Sequence, residues 1–290
     1  LKNFKFLPNR RLLKIRYRYY TDEKLNLEHP KKFNEKITWL KLHFHVPILT
    51  QLADKFSVRE YVSEKIGAKY LNELYKVYYN VDEINFDELP NSFVLKGVHG
   101  SSLNIIVKNK SKLDIKAAKL TMRKWMKHCQ YKKVGYEWAY KNIEPKIIAE
   151  KYLEEEGKDV LYDYKFFCFN GEPKFLQIDI ERGIKDYRCY YDLNWLKLPF
   201  SISKRPMFNY NVPKPSNFEE MKSLAASLAG NLPFARVDFY SVNSKTIFGE
   251  ITFYPEDGKV NFLPDEYNSI IGDYLTLPKI PETQNIITVF

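Results

Sequence analysis

The chain has 290 residues, of which 44% are hydrophobic and 16% aromatic, and its 46 basic and 36 acidic residues give a formal net charge of +10. This composition is that of a globular protein and excludes a disordered or collagen-like chain. The length exceeds the usual size of one domain, so we expect two lobes or a composite fold. The charge favours anionic partners, namely nucleotides, acidic sugars, nucleic acid or a membrane surface, without choosing among them.

The cysteines Cys129, Cys168 and Cys189 are odd in number and widely spaced. They form neither a metal-ligand pattern nor a disulfide framework, which favours a reducing, cytoplasmic setting. No apolar run approaches the roughly 20 residues that span a bilayer, and no signal peptide is visible. The first residue is Leu1 rather than Met, which leaves room for residues upstream.

The N-terminal segment is strongly basic, with seven basic residues and no acidic residue before Asp22. Basic and aromatic side chains together suit an anionic membrane surface or a polyanion. The alternative is a solvated helix that packs Leu12, Leu13 and Tyr17 against the body of the protein. The sequence leaves both interpretations open.

Two helices are predicted next, one from the cap Asn34 through Leu40 and one over residues 53–67, which ends at a glycine. Lys55 and Arg59 are four residues apart in the second helix. Residues at this spacing share a helix face, so both can reach one phosphate group. Alone, this spacing is weak evidence for a phosphate site.

Residues 93–96 and 103–107 have the composition of strands and flank a loop of small residues. Such a loop can offer backbone N–H groups and hydroxyls to phosphates, while Lys96 supplies a point charge. The alternative is an ordinary hairpin turn with an incidental lysine. The loop residues are Val98, His99, Gly100, Ser101 and Ser102.

Further strands and helices are predicted along the second half of the chain. The run KIIAEKYLEE is typical of a strand that leads into a hinge, whose backbone can line an adenine slot, and also of a plain buried strand with charged ends. The Asn170–Gly171 pair is a strong hairpin signal, so the surrounding runs predict antiparallel sheet. Helices are predicted at 114–128, 217–228 and 269–275, a strand at 187–192 and a loop at 199–215.

Residues 234–252 alternate as a β-hairpin with a loop at 243–245. Arg236, Asp238 and Tyr240 share one face of the first strand, and Phe248, Glu250 and Thr252 share one face of the second. In this register Asp238 lies opposite Glu250, with Cβ atoms roughly 5 Å apart.

Two carboxylates so placed repel each other unless a proton is shared or a cation lies between them. Mg²⁺ prefers one or two carboxylates plus substrate phosphates, and Arg236 can hold an anion beside such a metal. The alternative is a row of polar residues on the solvated face of an antiparallel sheet.

The order of these motifs resembles a known family. NEKITWLKL, ADKFSVREYV, FVLKGVHGSS, DYKFFCFNGEP and VDFYSVNSKTIFGEITFYP are similar to the TupA-like, teichuronopeptide-biosynthesis branch of the ATP-grasp superfamily, over about residues 33–274. The resemblance implies an α+β ATP-grasp fold with two lobes whose antiparallel sheets grip ATP, preceded by a basic helical segment. The implied divisions are 1–53 for that segment, 54–149 for the small lobe and 150–290 for the large lobe.

The resemblance also implies the residues of a site for ATP and Mg²⁺. Lys96 and Arg236 are the implied catalytic residues, the arginine lying near the transferred phosphoryl group, and Asp238, Glu250 and Thr252 are the implied metal ligands. Family members commonly have Asn where this chain has Thr252, and their phosphate loops often have more glycines. The implied ATP-binding residues are Lys55, Lys96, His99, Gly100, Ser101, Ser102, Glu150, Lys151, Tyr152, Leu153 and Asp163, the last near the ribose.

The function implied by the resemblance is an ADP-forming carboxylate–amine ligase. It would join a uronic acid of a cell-surface polysaccharide, through an acylphosphate, to an amino acid or another amine. Lys165, Arg182 and Arg188 are candidates for binding the anionic substrate, or surface charges without a function. The expected partners are an acidic polysaccharide or lipid-linked glycan at the inner face of the membrane and an amine substrate, and no nucleic acid is expected.

Two other functions remain open on the sequence alone. A kinase or a glycosyltransferase can act on the same polysaccharide, and the product distinguishes them from a ligase. The Asp-x-Asp motif common in glycosyltransferases is absent around Asp179, because the next acid is Glu181. A non-catalytic polyanion-binding protein is favoured by the charge and the aromatic content, and ATP would then be irrelevant.

Overall fold

The computed structural model describes residues 8–131, 135–155, 161–182, 185–203 and 205–290. In these parts of the chain the helices are α1 (Asn9–Thr21), α2 (Phe33–His43), α3 (Ile48–Ala53), α4 (Val58–Lys65), α5 (Ile115–Met126), α6 (Phe218–Ala229) and α7 (Tyr267–Asp273). The strands are β1 (Leu74–Tyr78), β2 (Phe93–Gly97), β3 (Asn104–Val107), β4 (Ile147–Lys151), β5 (Asp163–Phe169), β6 (Glu172–Arg182), β7 (Lys185–Asp192), β8 (Ser201–Ile202), β9 (Phe234–Val242), β10 (Lys245–Thr252) and β11 (Phe262–Leu263).

A four-stranded antiparallel sheet has the order β1-β4-β2-β3. Side chains alternate across a strand, so Phe93 and Leu95 face the buried side of α5, where Met122 packs against them. Lys96 points to the opposite face. The predicted boundary between residues 149 and 150 falls inside β4, and the division into lobes stays a prediction.

A five-stranded antiparallel sheet has the order β10-β9-β5-β6-β7. Phe166 of this sheet packs against Phe218 of α6, with ring centroids 5.9 Å apart. On the other face, Phe234 and Phe167 contact Phe33 of α2 at centroid distances of 5.4 and 6.4 Å. Helix α2 therefore covers the aromatic end of that face, and the polar end is left for a site. A two-stranded sheet pairs β8 with β11.

Left-handed residues close two hairpins of the five-stranded sheet. Asn170 and Gly171 have φ of +49° and +87°, and Asn243 and Ser244 have φ of +50° and +61°. Two-residue turns of this hand match the twist of the flanking strands. A Cβ on Gly171 would lie 2.1 Å from the carbonyl oxygen of Gly230, so only glycine fits there. Both predicted hairpins are present, but the predicted loop at 243–245 was one residue too long, because Lys245 is the first residue of β10.

The predicted N-cap of α2 was wrong by two residues, because the cap is Lys32 and not Asn34. The helix begins at Phe33, and Asn34 lies inside its first turn, fully buried, with its side-chain amide donating to the carbonyl of Val260 at 2.7 Å. Asn34 is therefore committed to a tertiary contact and does not cap the helix.

The helix predicted over residues 53–67 was also wrong, because the chain breaks between α3 and α4. The carboxylate of Asp54 accepts the backbone N–H of Phe56 at 2.8 Å, a local bond that competes with helix formation. Lys55 consequently lies in a turn, and it does not share a helix face with Arg59.

Helix α1 packs against the body of the protein through Leu12, Leu13 and Tyr17, which are all buried. The packing interpretation of the N-terminal segment is therefore confirmed for residues 9–21, while the outer face of the helix stays exposed. Within the described residues, no helix is long and apolar enough to cross a membrane.

Candidate active site

The hairpin of β9 and β10 places two carboxylates opposite each other. Asp238 pairs with Glu250, as the alternation predicted. Phe248, however, pairs with Phe239 on the other face of the sheet, so the prediction that it shares a face with Glu250 was wrong. The cause is a β-bulge at Gly249, where one extra residue reverses the alternation. A Cβ at this glycine would lie 3.0 Å from the carbonyl oxygen of Asp238.

Protein cations neutralise Asp238, whose exposed fraction is 2%. Arg236 donates from Nε and Nη2 to the two carboxylate oxygens at 2.8 and 2.7 Å. Lys165 Nζ donates to Oδ2 at 3.0 Å. A buried carboxylate is stable only when it is paired in this way. The repulsion between the two acids is thus relieved by neighbouring cations.

Glu250 is bound by cations from two parts of the chain. Lys55, in the turn before α4, lies 3.2 Å from its carboxylate, and Arg236 lies 3.6 Å from it. Burial acts to raise the pKa of Glu250, but Lys55 and Arg236 outweigh it and lower this pKa to about 2. Glu250 is therefore ionised at neutral pH. Lys55 also donates to the carbonyl of Gly100 at 3.0 Å, which joins the hairpin to the predicted phosphate loop.

Lys165 lies among three aspartates on the polar face of the five-stranded sheet. It donates to Asp163 and to Asp238, and its Nζ lies 3.9 Å from Asp179. Burial acts to lower the pKa of Lys165, but Asp163 and Asp238 raise it overall, so the ammonium stays charged. Its interpretation as a surface charge was wrong, because the exposed fraction of Lys165 is 7%.

Arg188 is also buried, and its interpretation as a surface charge was equally wrong. It donates from Nε and Nη2 to the two oxygens of Asp179 at 2.6 and 3.1 Å and from Nη1 to Glu256 at 3.0 Å. These bonds fix the guanidinium beside the site. The side chain of Arg182 lies outside the described residues, and the role of both arginines in substrate binding stays a prediction.

Asp163 lies beside the carboxylate pair, with its side chain directed at Lys165. Its Oδ1 is buried and lacks a hydrogen-bond partner among the described residues. Burial raises the pKa of Asp163 to about 6, while Lys165 opposes the shift. A buried acceptor without a partner is costly, so a ligand group or water that donates to Oδ1 would be bound favourably. A role at the ribose stays a prediction.

The four-stranded sheet supplies the second predicted phosphate lysine. Lys96 Nζ donates to Glu150 at 2.7 Å, and Arg59 donates to the same carboxylate at 3.1 Å. The lysine thus lies on the face of the four-stranded sheet opposite α5, and 27% of its side chain is exposed. Lys96 and Arg59 share a carboxylate, and Lys55 pairs with a different one.

The loop after β2 divides into a buried and an exposed half. His99 is buried, and its Nε2 lies 2.8 Å from the carbonyl oxygen of Trp125. Its imidazole therefore faces the core, and a contact of the backbone of this loop with phosphates stays a prediction. Gly100 is buried, whereas Ser101 and Ser102 are exposed and remain candidates for phosphate contacts.

The predicted adenine hinge follows β4. The side chain of Glu150 is used by Lys96 and Arg59, and the backbone N–H of Lys151 donates to the carbonyl of Glu73 at 2.9 Å. The remaining candidates for the predicted backbone contact with adenine are Tyr152 and Leu153, which are half-buried and follow the strand. The hinge itself stays a prediction.

Sequence reasoning missed the residues behind the site. Lys41 is buried in α2, and its Nζ donates to the carboxylate of Asp257 at 2.5 Å and to its carbonyl at 2.8 Å. Asp257 and Glu256 are left-handed, with φ of +58° and +50°, in the turn that follows β10. Such conformations are strained for non-glycine residues and persist only where other contacts impose them. The bonds from Lys41 and Arg188 supply those contacts.

The buried residues Gln130 and Glu137 lie between the loop after β2 and the charges of Lys41 and Asp257, which form the rear wall of the site. Gln130 donates from Nε2 to Ser101 Oγ at 3.1 Å and to Glu137 at 3.2 Å. Burial and the nearby Asp257 raise the pKa of Glu137 from its ordinary 4.5 to about 7, although Lys41 and Gln130 oppose the shift. No sequence pattern indicated these contacts.

Replacing Glu137 with Gln is expected to change how stability depends on pH. The folded protein binds a proton at Glu137 more tightly than the unfolded chain, so this group's contribution to stability is present at low pH and is lost as the pH rises from about 4.5 to about 7. Relative to wild type, Glu137→Gln should therefore gain up to about 3 kcal/mol between about pH 5 and about pH 8. Urea unfolding of both proteins at the two pH values checks this, and an equal difference at both would contradict it.

Asp238, Glu250 and Thr252 form a donor set suited to Mg²⁺ with a nucleotide. The hydroxyl of Thr252 lies 3.4 Å from Glu250, and carboxylate and hydroxyl oxygens are hard donors. In the part of the chain that the structure describes, no group of three or more His, Cys, Asp or Glu side chains is arranged to hold a metal ion. The remaining ligands would thus be phosphate oxygens and water, which Mg²⁺ prefers to a closed protein cage.

Some solved structures are similar to this chain at low sequence identity. The D-alanine–D-alanine ligase from Bacillus anthracis is 16% identical with a TM-score of 0.48, covering 83% of this chain and 71% of the ligase. Its complex with ATP is 12% identical with a TM-score of 0.41, covering 71% and 57%. The corresponding ligase from Helicobacter pylori is 15% identical with a TM-score of 0.43, covering 87% and 68%. This chain thus spans little more than half of the ligase in the ATP complex.

No curated protein matches this chain. The family model described as TupA-like ATPgrasp matches residues 35–276, which include α2 from its third residue onward, α3 to α7, both large sheets and every side chain of the candidate site described above. The chain therefore belongs to the TupA-like ATP-grasp family and has the ATP-grasp fold.

Proposed function

We propose that the protein is an ATP-dependent carboxylate–amine ligase. The observation that carries the proposal is the position of Lys55, which lies 3.2 Å from Glu250 of the hairpin and donates to Gly100 of the loop after β2 at 3.0 Å. One lysine thus brings the predicted metal carboxylates and the predicted phosphate loop to the same point. Phosphoryl transfer needs mainly positioning and charge neutralisation, and this arrangement supplies both.

The residues have distinct roles in the proposed reaction. Lys55 and Lys96 would bind phosphate oxygens, with the backbone of residues 100–102 closing over them. Asp238 and Glu250, with Thr252 beside them, would hold Mg²⁺, which when bound neutralises phosphate charge. Arg236 contacts both carboxylates and would stabilise the transferred phosphoryl group beside them.

The proposed substrate is a uronic acid of a bacterial cell-surface polysaccharide. A carboxylate oxygen of the sugar attacks the γ-phosphorus of ATP and ADP leaves, which gives an acylphosphate. The nitrogen of an amino acid or another amine then attacks the acyl carbon, phosphate leaves, and the nitrogen loses a proton to give an amide. The net charge of +10 supports an acidic substrate. Because ATP is the phosphoryl donor, we place the reaction in the cytoplasm.

The test is release of ADP in the presence of uronic acids and amino acids, with hydroxylamine as a trap. An acylphosphate reacts with hydroxylamine to give a hydroxamate, which should form from a free uronic acid and be absent with its methyl ester. Glu250→Gln should abolish both ADP release and hydroxamate, while Glu28→Gln, an exposed control, should leave both unchanged. A phosphorylated sugar as the product would indicate a kinase, and consumption of a sugar nucleotide a glycosyltransferase. Either result would overturn the proposal.

A further inference from the structure

We propose that the outer face of α1 docks on an anionic membrane surface. This outer face consists of Arg11, Lys14, Ile15, Arg18 and Tyr19, which are all exposed. The docking does not depend on the proposed ligase activity, so it can fail or hold independently of it.

The packing of α1 fixes which side faces outward. Leu12, Leu13 and Tyr17 are buried against the body, and Arg16, on the inner side, lies 3.6 Å from Asp257. Asn261 donates to the carbonyl of Tyr20 at 3.2 Å, which holds the end of the helix. The helix is therefore a rigid part of the fold, and its outer face is presented without rearrangement.

The composition of the outer face matches the chemistry of an anionic bilayer surface. Three of its five side chains are basic, and α1 contains no acidic residue. Ile15 is 39% exposed and Tyr19 is 70% exposed. Basic side chains attract anionic headgroups, while aromatic and aliphatic side chains enter the boundary between headgroups and acyl chains. The combination favours a membrane over a soluble polyanion, which would need the charges alone.

Docking through α1 would bring the membrane to the candidate active site, because the inner side of the helix contacts residues close to that site. Arg16 and the ring of Tyr20 connect the helix to Asp257 and Lys259, which belong to or follow the turn after β10. That turn begins three residues after Thr252 of the candidate active site. A membrane against the outer face would therefore bring anionic lipid headgroups to the side of the protein on which the rear wall of the site lies.

Helix α5 offers a matched control, because it is also basic. Its exposed lysines include Lys116 and Lys124, with Lys112 in the turn just before it. Reversing these three lysines changes the net charge by the same amount as reversing Arg11, Lys14 and Arg18. Any difference between the two variants then reports the location of the charge and not its sum.

The experiment is co-sedimentation of the full chain with vesicles of phosphatidylcholine, alone or with about one third phosphatidylglycerol, at low and high salt. Wild type should bind only the anionic vesicles and bind less at high salt. The α1 variant Arg11→Glu/Lys14→Glu/Arg18→Glu should bind about a hundredfold more weakly, because each basic residue near the surface contributes about 1 kcal/mol. The α5 variant Lys112→Glu/Lys116→Glu/Lys124→Glu should bind like wild type. Tyr19→Ser should weaken binding without a change in charge.

Three results would overturn the proposal. The first is that wild type does not bind anionic vesicles. Equal losses in the α1 and α5 variants would assign the effect to net charge alone. Binding of soluble polygalacturonate that needs the α1 charges, without vesicle binding, would assign the outer face to an acidic polymer. Circular dichroism of both variants verifies that the fold is intact in each comparison.

Discussion

Replacing Asp238 with Asn is expected to weaken binding of a non-hydrolysable ATP analogue in the presence of Mg²⁺ by about a hundredfold. The amide keeps the size of the side chain and removes its charge, so the site loses one of the two carboxylates proposed to bind the metal. It also leaves Lys165 and Arg236, which both bind Asp238, beside a neutral group. Isothermal titration with and without Mg²⁺ measures the effect, and the difference between the two conditions should shrink in the variant.

Asp87→Asn is the control for this substitution, because Asp87 is exposed in a turn before β2 and is not one of the residues of the candidate site. It should bind the analogue like wild type. Thermal unfolding of both variants is needed beside the titration, since removing one member of a buried ion pair also destabilises the fold. A folded Asp238→Asn protein with wild-type affinity and wild-type magnesium dependence would contradict the assignment of Asp238 as a metal ligand.

The carboxylate pair was predicted correctly because two differences from the prediction cancel. The predicted loop at 243–245 places Asp238 opposite Glu250, whereas the structure has a two-residue turn at 243–244 and regains the same pairing through the extra residue of the bulge at Gly249. The orientation of Phe248 could not be predicted in this way. The bulge at Gly249 adds a single residue to one strand, and an alternation pattern contains no signal for that addition.

The position of Lys55 shows a second limit of prediction from the sequence. Its neighbours continue a helical pattern, yet the carboxylate of Asp54 takes the N–H of Phe56 and ends the helix. Whether the helix continues depends on the competition between this side-chain bond and the backbone hydrogen bonds of a helix. The amino-acid composition does not decide which of the two forms. The bond from Lys41 to Asp257 spans 216 residues, so only the folded chain reveals it.

The pairing of Asp179 could not be predicted from the turn alone. The Asn170–Gly171 turn pairs Cys168 with Pro173, which would place Asp163 opposite residue 178, and a bulge between Pro173 and Phe175 shifts the register by one residue and places Asp163 opposite Asp179. This is the same cross-strand pairing of like charges that identified the hairpin carboxylates, and it indicates a neutralising cation in the same way. Lys165 is that cation.

Replacing Lys165 with Met is expected to let the site bind Mg²⁺ in the absence of nucleotide. In wild type Lys165 supplies positive charge to Asp163 and Asp238, so these carboxylates attract a free metal ion only weakly. Methionine has a similar length and no charge, and its introduction leaves the carboxylates uncompensated. Without metal, the free energy of unfolding should fall by about 3 kcal/mol. Added Mg²⁺ should restore part of it, because a ligand that binds only the folded state stabilises that state.

Urea unfolding at increasing Mg²⁺ concentration, without nucleotide, measures both effects. Wild type should change little, whereas Lys165→Met should gain stability steadily as the metal is added. Lys174→Met is the control on the same sheet, since Lys174 pairs with the exposed Glu172 and should respond like wild type. If Lys165→Met and wild type gain the same stability from Mg²⁺, then Lys165 does not hold the carboxylates in place of a metal ion. Its ion pairs with Asp163 and Asp238 would then serve the packing of the sheet alone.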